Sequence, residues 1–501
     1  MERIYDYVIL GGGIGGLAIG SLLAKEDKSI CLIEANNKLG GHAYTIEIGK
    51  YKFSHDIHYI MGCQEGGPIN KFLKKIGLNS KIEFNEFDSK CYDLINVNGR
   101  KVYVPLGIDN YLKVLIDLYP KYKIPLKEYF ELEKKIIYAS RKINRAIKKT
   151  TILKNPLSFL TILKYLNYTL EDILNKFNFP LELRAILAGR IGNLSACPKE
   201  VSFLMYAAMD IGYSESASYP KKGVQYLIEE ITKVISKKIN CKIFTKVKAE
   251  EIIMENNRIK SIKTNKDEII GKNFISNLDP AETFKMIKNL EIPSSYKKKL
   301  NYQYSDSVIC IYLGLKGIDL KEHGFKRGNI WHHSDMDLNR EYLREIEEND
   351  FSKPWLFISA PSLSTDKGVL CPKNHETLEI LTFANYDYFK GLFEKDKIKY
   401  RKKIKEIYDK ILDIVDKNYL PNIRKYIDKS IVHTPLDMGE ILNAPYGNVY
   451  GARLTPELLI KHRITNTTPI KNLYLVGASS SYPGIMGVIK GVLNLFNELG
   501  Y

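Results

Sequence analysis

The residues of this 501-residue chain that could do chemistry gather first at Gly11-x-Gly13-x-x-Gly16. They lie between an apolar, β-prone run, Tyr7-Val8-Ile9-Leu10, and a stretch in which Leu17, Ile19, Leu22 and Leu23 suit the buried side of a helix. A strand, a tight turn and a helix N-terminus in that order make a phosphate site. The first glycine permits the turn, the second admits a pyrophosphate to backbone N–H groups, and the third lets helix and strand pack closely. Alone, the motif also reads as an ordinary glycine-rich turn. The run "SICLIEA" favours the dinucleotide, because it forms a second apolar strand ending at Glu34, 18 residues after Gly16. A carboxylate about 20 residues on accepts from a ribose hydroxyl and suits an adenosine with a free 2′-hydroxyl. Gly40-Gly41 then allow a second close approach of backbone to the ligand.

The other end of the chain carries a matching arrangement. Leu473–Val476 reads as a strand entering Gly477, Pro483-Gly484 as a turn, and Ile485–Leu499 as a helix. A helix N-terminus offers free N–H groups and a partial positive charge. The plain alternative is the ordinary β-turn-α end of a Rossmann-like domain.

The elements that must position these groups fit within an ordinary globular composition, 45% hydrophobic. The uncharged stretch Tyr7–Ala24 is long enough to span a bilayer but is interrupted by glycines, and Met1-Glu2-Arg3 is too short and mixed in sign for a secretory leader. Seven scattered cysteines without a CxxC suggest neither a disulfide framework nor a zinc site, and point to a reducing, cytoplasmic setting. Trp331-His332-His333 is rejected as a metal pair, since adjacent histidines share no strand side. The net charge is +17, and Lys101–Lys164 holds 14 Lys and Arg against 5 Asp and Glu. No nucleic-acid motif accompanies that region. It reads either as a solvated lysine-rich face or as a peripheral dock for anionic membrane. Leu157, Leu160, Leu163, Leu166 and Leu170 follow at helical spacing, as on a core-facing helix or a membrane-facing one.

With Glu34, Gly40-Gly41 and Thr45, the opening resembles the extended fingerprint of the flavin amine oxidase and phytoene desaturase superfamily. Lys38 and His42 stand where that superfamily usually has arginines. "NLYLVGASSSYPGIMGVIKG", "TPLDMGEILNAPYGNVYGARLTPE" and "FSHDIHYIMG" resemble segments of its carotenoid isomerase and retinol saturase branch, with Ser54 and Asp56 departing from the usual Asp and Gly. The resemblance implies a discontinuous Rossmann-like FAD-binding domain built from 1–90, 215–290 and 466–501. A helical, basic, membrane-associating region would occupy 91–214, and a mixed-sheet substrate domain 291–465. It implies FAD contacts from Gly11, Gly13, Ile14, Gly15, Gly16, Glu34, Ala35, Lys38, Gly40, Gly41, His42, Val247 (through its backbone), Gly477, Ala478, Met486, Gly487 and Val488.

What the resemblance implies for chemistry is an FAD-dependent oxidoreductase that saturates or isomerises double bonds of a polyene lipid: a carotenoid, a retinoid or an unsaturated acyl chain. Bound flavin supplies the hydride chemistry, so no catalytic triad is required. His58 and Tyr59 are the groups expected beside the ring, although His58 also reads as a hydrogen-bonded core residue. Asp56 is a proton donor if buried and otherwise a solvated turn residue. A desaturase or amine oxidase on the same scaffold, and a non-enzymatic module like the prenyl-protein escorts, are the alternatives. A side chain at Gly487 is expected to push into the cofactor, and Gly491→Ala to be milder.

Overall fold

A computed structural model describes residues 3–143, 155–288, 292–460 and 463–501. Strand Tyr5–Leu10 is central to the first sheet, parallel to Ile30–Glu34 on one side and to Glu268–Ser276 on the other. Cys241–Thr245 extends the sheet beyond Ile30–Glu34, and Leu473–Leu475 pairs in parallel with the end of Glu268–Ser276. Three distant stretches of chain therefore build one cofactor sheet. Both its faces are covered: Tyr7, Ile9, Ile30 and Leu32 join one core, while Val8, Leu10, Cys31 and Ile33 join another. Two-sided burial explains the unbroken apolar runs. Helices Ile14–Lys25, Gly223–Ser236 and Gly484–Glu498 pack together on the first face. The strands Ala249–Glu255 and Arg258–Thr264 turn at Asn256-Asn257, both at positive φ (52° and 59°), as the Asn-Asn pair predicts.

The second sheet runs in the order Ile427–His433, Ser307–Lys316, His375–Ala384, Leu356–Ser359, Asn329–His333, Asp93–Val97, Arg100–Val104. Its strands alternate with period two. Ile309, Ile311, Leu313 and Leu315 face a back core with Ile407, Ile411 and Val415 of helix Lys397–Asn418. Cys310, Tyr312, Trp331, Phe357 and Phe383 face forward into the main core, toward the cofactor domain.

Two expectations change. The region 91–214 is not helical throughout, because Asp93–Val97 and Arg100–Val104 form a hairpin that pairs in parallel with Asn329–His333. Its alternation buries Ile95, Val97, Val102 and Val104, and Asn98-Gly99 supplies the positive-φ turn (48° and 92°). The leucine series also divides. Leu170 is fully buried, but Leu157, Leu160 and Leu163 of helix Pro156–Tyr165 are 79%, 59% and 44% exposed. Among the described residues, no helix is long and apolar enough to cross a membrane.

Candidate cofactor and substrate site

The glycine loop is shaped by backbone. Gly11 takes φ 92° and donates its N–H to the Ile33 carbonyl (2.8 Å). A Cβ on Gly16 would overlap the Gly11 carbonyl oxygen, so the third glycine is needed for the helix to leave the turn. Helix Ile14–Lys25 starts at Gly13 with no side-chain cap among the described residues and no acidic residue in its first turn, which leaves its first N–H groups for an anion. Gly40 donates to the Gly12 carbonyl (2.9 Å), and Gly41 lies directly against Gly13. Glu34 accepts the Gly12 N–H on Oε2 (2.7 Å) and the Asn36 N–H on Oε1 (2.8 Å). Each carboxylate oxygen keeps a lone pair for a ribose hydroxyl.

The C-terminal helix Gly484–Glu498 is likewise without a side-chain cap and without an acid in its first turn. It reaches the same cradle: a Cβ on Gly15 would come within 3.1 Å of Val488 Cγ1. Opposite ends of the chain thus meet at one site, where two bare helix N-termini, the glycine backbone and the Glu34 carboxylate are the groups that would hold FAD. Asn277, at the end of strand Glu268–Ser276, stands among these groups. Its side chain would meet a Cβ at Gly13 (2.7 Å), one at Gly15, and one at Gly477 (3.5 Å). It was not singled out from the sequence. Its signal is its place just beyond the carboxyl end of a parallel strand, where α/β sheets bind ligands.

Other predicted cofactor residues fall as follows. Ala35 and Lys38 are exposed on the turn after Glu34, with the Lys38 ammonium 5.2 Å over the Tyr44 ring. The Val247 N–H is spent on the Glu34 carbonyl (2.9 Å), so its carbonyl is the group left for an adenine edge. Gly477 has φ 120°, and Ala478 follows it. Met486, in the first turn of the C-terminal helix, lies against Gly62. Gly487 needs correction, because its missing side chain makes room for the Tyr482 backbone (carbonyl oxygen 2.5 Å from a Cβ). Gly491 is no milder a position: a Cβ there would overlap Ser481 Oγ and Cβ.

The segment from Ser54 to Gly62 crosses from the second sheet to the C-terminal helix. Asp56, its side chain 12% exposed, accepts from His42 Nδ1 (2.6 Å) and lies 3.1 Å from His55 Nδ1. Burial alone would raise the Asp56 carboxyl, but His55 and His42 beside it hold it below the usual range. The group is therefore an ionised clamp between the Gly41 loop and this segment, neither a proton donor nor a solvated turn residue. His55 is fully buried and accepts the Tyr312 hydroxyl on its carbonyl (2.9 Å), and its ring lies 5.4 Å from His433. Burial, helped by His55, pushes His433 down to about 4. His58 donates from Nδ1 to Glu379 Oε2 (2.8 Å) and packs on Phe357 (4.8 Å between centroids).

Tyr59 points elsewhere. Its hydroxyl accepts from Asn193 Nδ2 (2.7 Å), its ring stacks on Tyr213 (3.9 Å) and Phe87 (5.7 Å), and burial raises it well above the usual tyrosine range. It packs against helix Phe203–Glu215, which carries Tyr213. His332 and His333 are held by Tyr419 (2.8 Å) and by Glu341 (2.7 Å) and the Gly189 carbonyl (2.9 Å).

A family model described as an NAD(P)-binding Rossmann-like domain matches residues 9–76. An all-trans-retinol 13,14-reductase of Danio rerio is 26% identical over 97% of this chain and 84% of its own length. A chloroplastic prolycopene isomerase of Daucus carota is 25% identical over 97% of this chain and 78% of its own. Among solved structures, an oxidoreductase from Methanosarcina mazei superposes with TM-score 0.67 at 16% identity, covering 98% of this chain and 99% of that one. A putrescine oxidase does so with TM-score 0.69 at 13% identity, covering 100% and 99%. By these matches the chain is similar over nearly its whole length to a retinol 13,14-reductase and a prolycopene isomerase, and its fold is similar to that of a putrescine oxidase.

Proposed function

We propose that this chain is an FAD-dependent oxidoreductase that saturates or isomerises carbon–carbon double bonds of a polyene lipid. The observation that carries this reading is the meeting of Gly15 and Val488, which brings two uncapped helix N-termini to one dinucleotide. Bound flavin supplies hydride chemistry at N5. The chain's residues hold the adenosine at Glu34, the pyrophosphate at Gly13–Gly16, and the substrate against an aromatic wall. We assign that wall to two buried aromatic groups beside the His58–Tyr59 step, Phe87 and Tyr213 on Tyr59 and Trp331 with Phe357 on the His58 side. Flat rings suit a conjugated chain. The similarity to proteins named for retinol and prolycopene, both polyenes, supports that substrate class. The amine oxidase likeness, at 13% identity, concerns the fold.

The purified protein is expected to be yellow with FAD rather than FMN, and anaerobic reduction followed by product analysis on polyenes tests the activity. Glu34→Ala should weaken FAD retention by about 1.5–3 kcal/mol, the worth of a hydrogen bond to a charged group. Equilibrium dialysis against free FAD measures it. A colourless wild type that cannot be reconstituted would favour the escort-like module.

The exposed leucines of helix Pro156–Tyr165 support a peripheral contact with anionic membrane. Leu157, Leu160 and Leu163 project outward, and Tyr165 and Tyr168 follow with Lys164 and Lys176 over their rings (5.4 and 3.5 Å). An apolar stripe flanked by amphipathic rings and cations lies in a bilayer interface. Lys134 is less available than its sequence position suggests, being paired with Asp109 (2.6 Å) and Glu131 (2.9 Å). Lys135 is exposed. Lys148 and Lys149 lie outside the described residues. Leu157→Glu with Leu160→Glu should abolish sedimentation with anionic liposomes. Lys164→Glu should weaken it by about 1 kcal/mol or more, with the loss shrinking in high salt. Equal binding of the double variant would refute the contact.

A further inference from the structure

Asp56 touches His42, which follows Gly41 in the phosphate cradle, while Gly62 touches Met486 in the first turn of the C-terminal helix (Cγ 2.9 Å from a Cβ). The residues between them are therefore strung along the line joining the two ends that grip the cofactor. His58 is the titratable side chain there whose ring turns to the second sheet. On that sheet it meets Glu379, a carboxylate at a forward-facing position of strand His375–Ala384 and fully buried. Glu379 accepts His58 Nδ1–H on Oε2 (2.8 Å) and the Ser54 N–H on Oε1 (3.2 Å), so both its oxygens are tied to the same segment. The other ring nitrogen, His58 Nε2, is buried and without a hydrogen-bond partner among the described residues. A buried nitrogen left unpaired costs free energy, and such exceptions in native structures call for a ligand or a catalytic role.

We infer that Glu379 is a positioning residue that fixes the His58 ring through Nδ1 so that Nε2–H delivers the proton needed to saturate a carbon–carbon double bond. The inference rests on the oxidoreductase reading above. The step balances. The π bond breaks and two C–H bonds form, one from a hydride that reduced flavin supplies with its electron pair, the other from the proton on Nε2. His58 is left neutral, with Nδ1–H still on Glu379, and regains its proton from solvent. In an apolar surround the pair is cheapest when it is neutral overall, so histidine and carboxylate together retain one proton beyond those of neutral imidazole and carboxylate. Burial raises the Glu379 carboxyl, and His58 opposes that rise. The other titratable groups facing Glu379 are His55, Tyr219, Tyr312 and Cys310. Burial pushes Tyr219, Tyr312 and Cys310 upward, which keeps them uncharged. The carboxylate is thus the only anionic partner His58 has on that side among the described residues.

The test compares wild type, Glu379→Gln and His58→Gln, each loaded with FAD, using all-trans-retinol as the polyene probe with anaerobically reduced protein. Glutamine keeps the shape and the acceptor oxygen at 379 but removes the charge. All three proteins should hold FAD with the same visible spectrum. In wild type the ¹⁵N spectrum of His58 should show Nδ1 carrying the proton that Glu379 holds. In Glu379→Gln one proton should be lost from the ring at lower pH, and the basic limb of the saturation rate should move down with it. His58→Gln should lower the rate by about 10²-fold or more, the usual worth of a general acid. If Glu379→Gln leaves both the ring titration and the pH profile in place, the inference is overturned while the oxidoreductase reading stands. If wild type holds no FAD, the reading itself fails. The ring titration needs no substrate, so it still decides the role of Glu379. If retinol is not saturated, an unshifted ring titration in Glu379→Gln alone overturns the inference and a shifted one supports it. If Glu379→Gln fails to fold, Glu379→Asp replaces it under the same two criteria.

Discussion

Gly16→Ala is expected to yield protein without flavin and with markedly lower stability. The added methyl would overlap the Gly11 carbonyl oxygen and press on Ile9 Cγ2 (3.3 Å). Neither neighbour is free to yield. Gly11 is held by its bond to Ile33 in the neighbouring strand Ile30–Glu34, and Gly16 lies in the first turn of a helix buried along most of its length. The added Cβ is fixed by the backbone and meets a backbone oxygen, so no rotamer change relieves the clash, and the cost should reach or exceed the roughly 1–3 kcal/mol typical of overpacking. Gly391→Ala is the matched control. It sits in helix Tyr386–Lys395 with nothing within 4 Å of a Cβ. There alanine should raise stability by about 0.5–1 kcal/mol through helix propensity. The urea midpoints of the two variants should therefore move in opposite directions from wild type, and flavin absorbance should fall in Gly16→Ala alone. A Gly16→Ala protein that holds FAD normally would mean that helix and strand are not packed as described.

Arg190→Leu should cost about 3–5 kcal/mol, the usual loss when one partner of a buried ion pair is removed. The guanidinium is almost wholly buried, paired with Asp210, 3.9 Å from Asp93, and set against the rings of Tyr92 (5.3 Å) and Tyr111 (5.6 Å). Burial raises Asp93, Glu133 and Asp210, and for Asp210 the arginine opposes that rise. Without the arginine the folded-state value of Asp210 must climb further. A carboxyl whose folded pKa lies above its unfolded one holds more protons in the native state, so stability falls as pH rises through the folded value. The deficit of Arg190→Leu should therefore be smaller near about pH 5 than near about pH 8, and Asp210→Asn in the same background should recover part of it. Urea midpoints at the two pH values measure this, and a pH-independent deficit would refute it.

Much of the cofactor half was legible along the chain. Gly11, Gly13, Gly16 and Glu34 lie within one βαβ unit, where spacing in sequence is spacing in space. The Asn256-Asn257 hairpin carried its turn chemistry in the sequence. The hairpin at Asn98-Gly99 carried the same kind of signal, an Asn-Gly between alternating apolar residues, within a stretch whose lysines and helices dominated the reading. Gly491 looked harmless because its neighbour, Ser481, lies ten residues away across a turn whose closure no local pattern reports.

The substrate half was decided by tertiary structure. Glu379 lies in a strand whose alternation marks two faces without saying which one meets His58, 321 residues earlier. Asn277 gains its place only when Gly13, Gly15 and Gly477 converge on it. Leu157, Leu160 and Leu163 form one face of a helix by period, and only the packing shows that this face is turned outward. The sequence by itself determined the dinucleotide fold and the gathering of Gly11, Gly13, Gly16 and Glu34 in one unit, since a βαβ unit is specified by local sterics and short-range backbone hydrogen bonds. The histidine–carboxylate partnership, the Asp56 clamp and the exposed apolar stripe were set by the folded chain, because burial and long-range pairing, not spacing, determine which charged groups face each other.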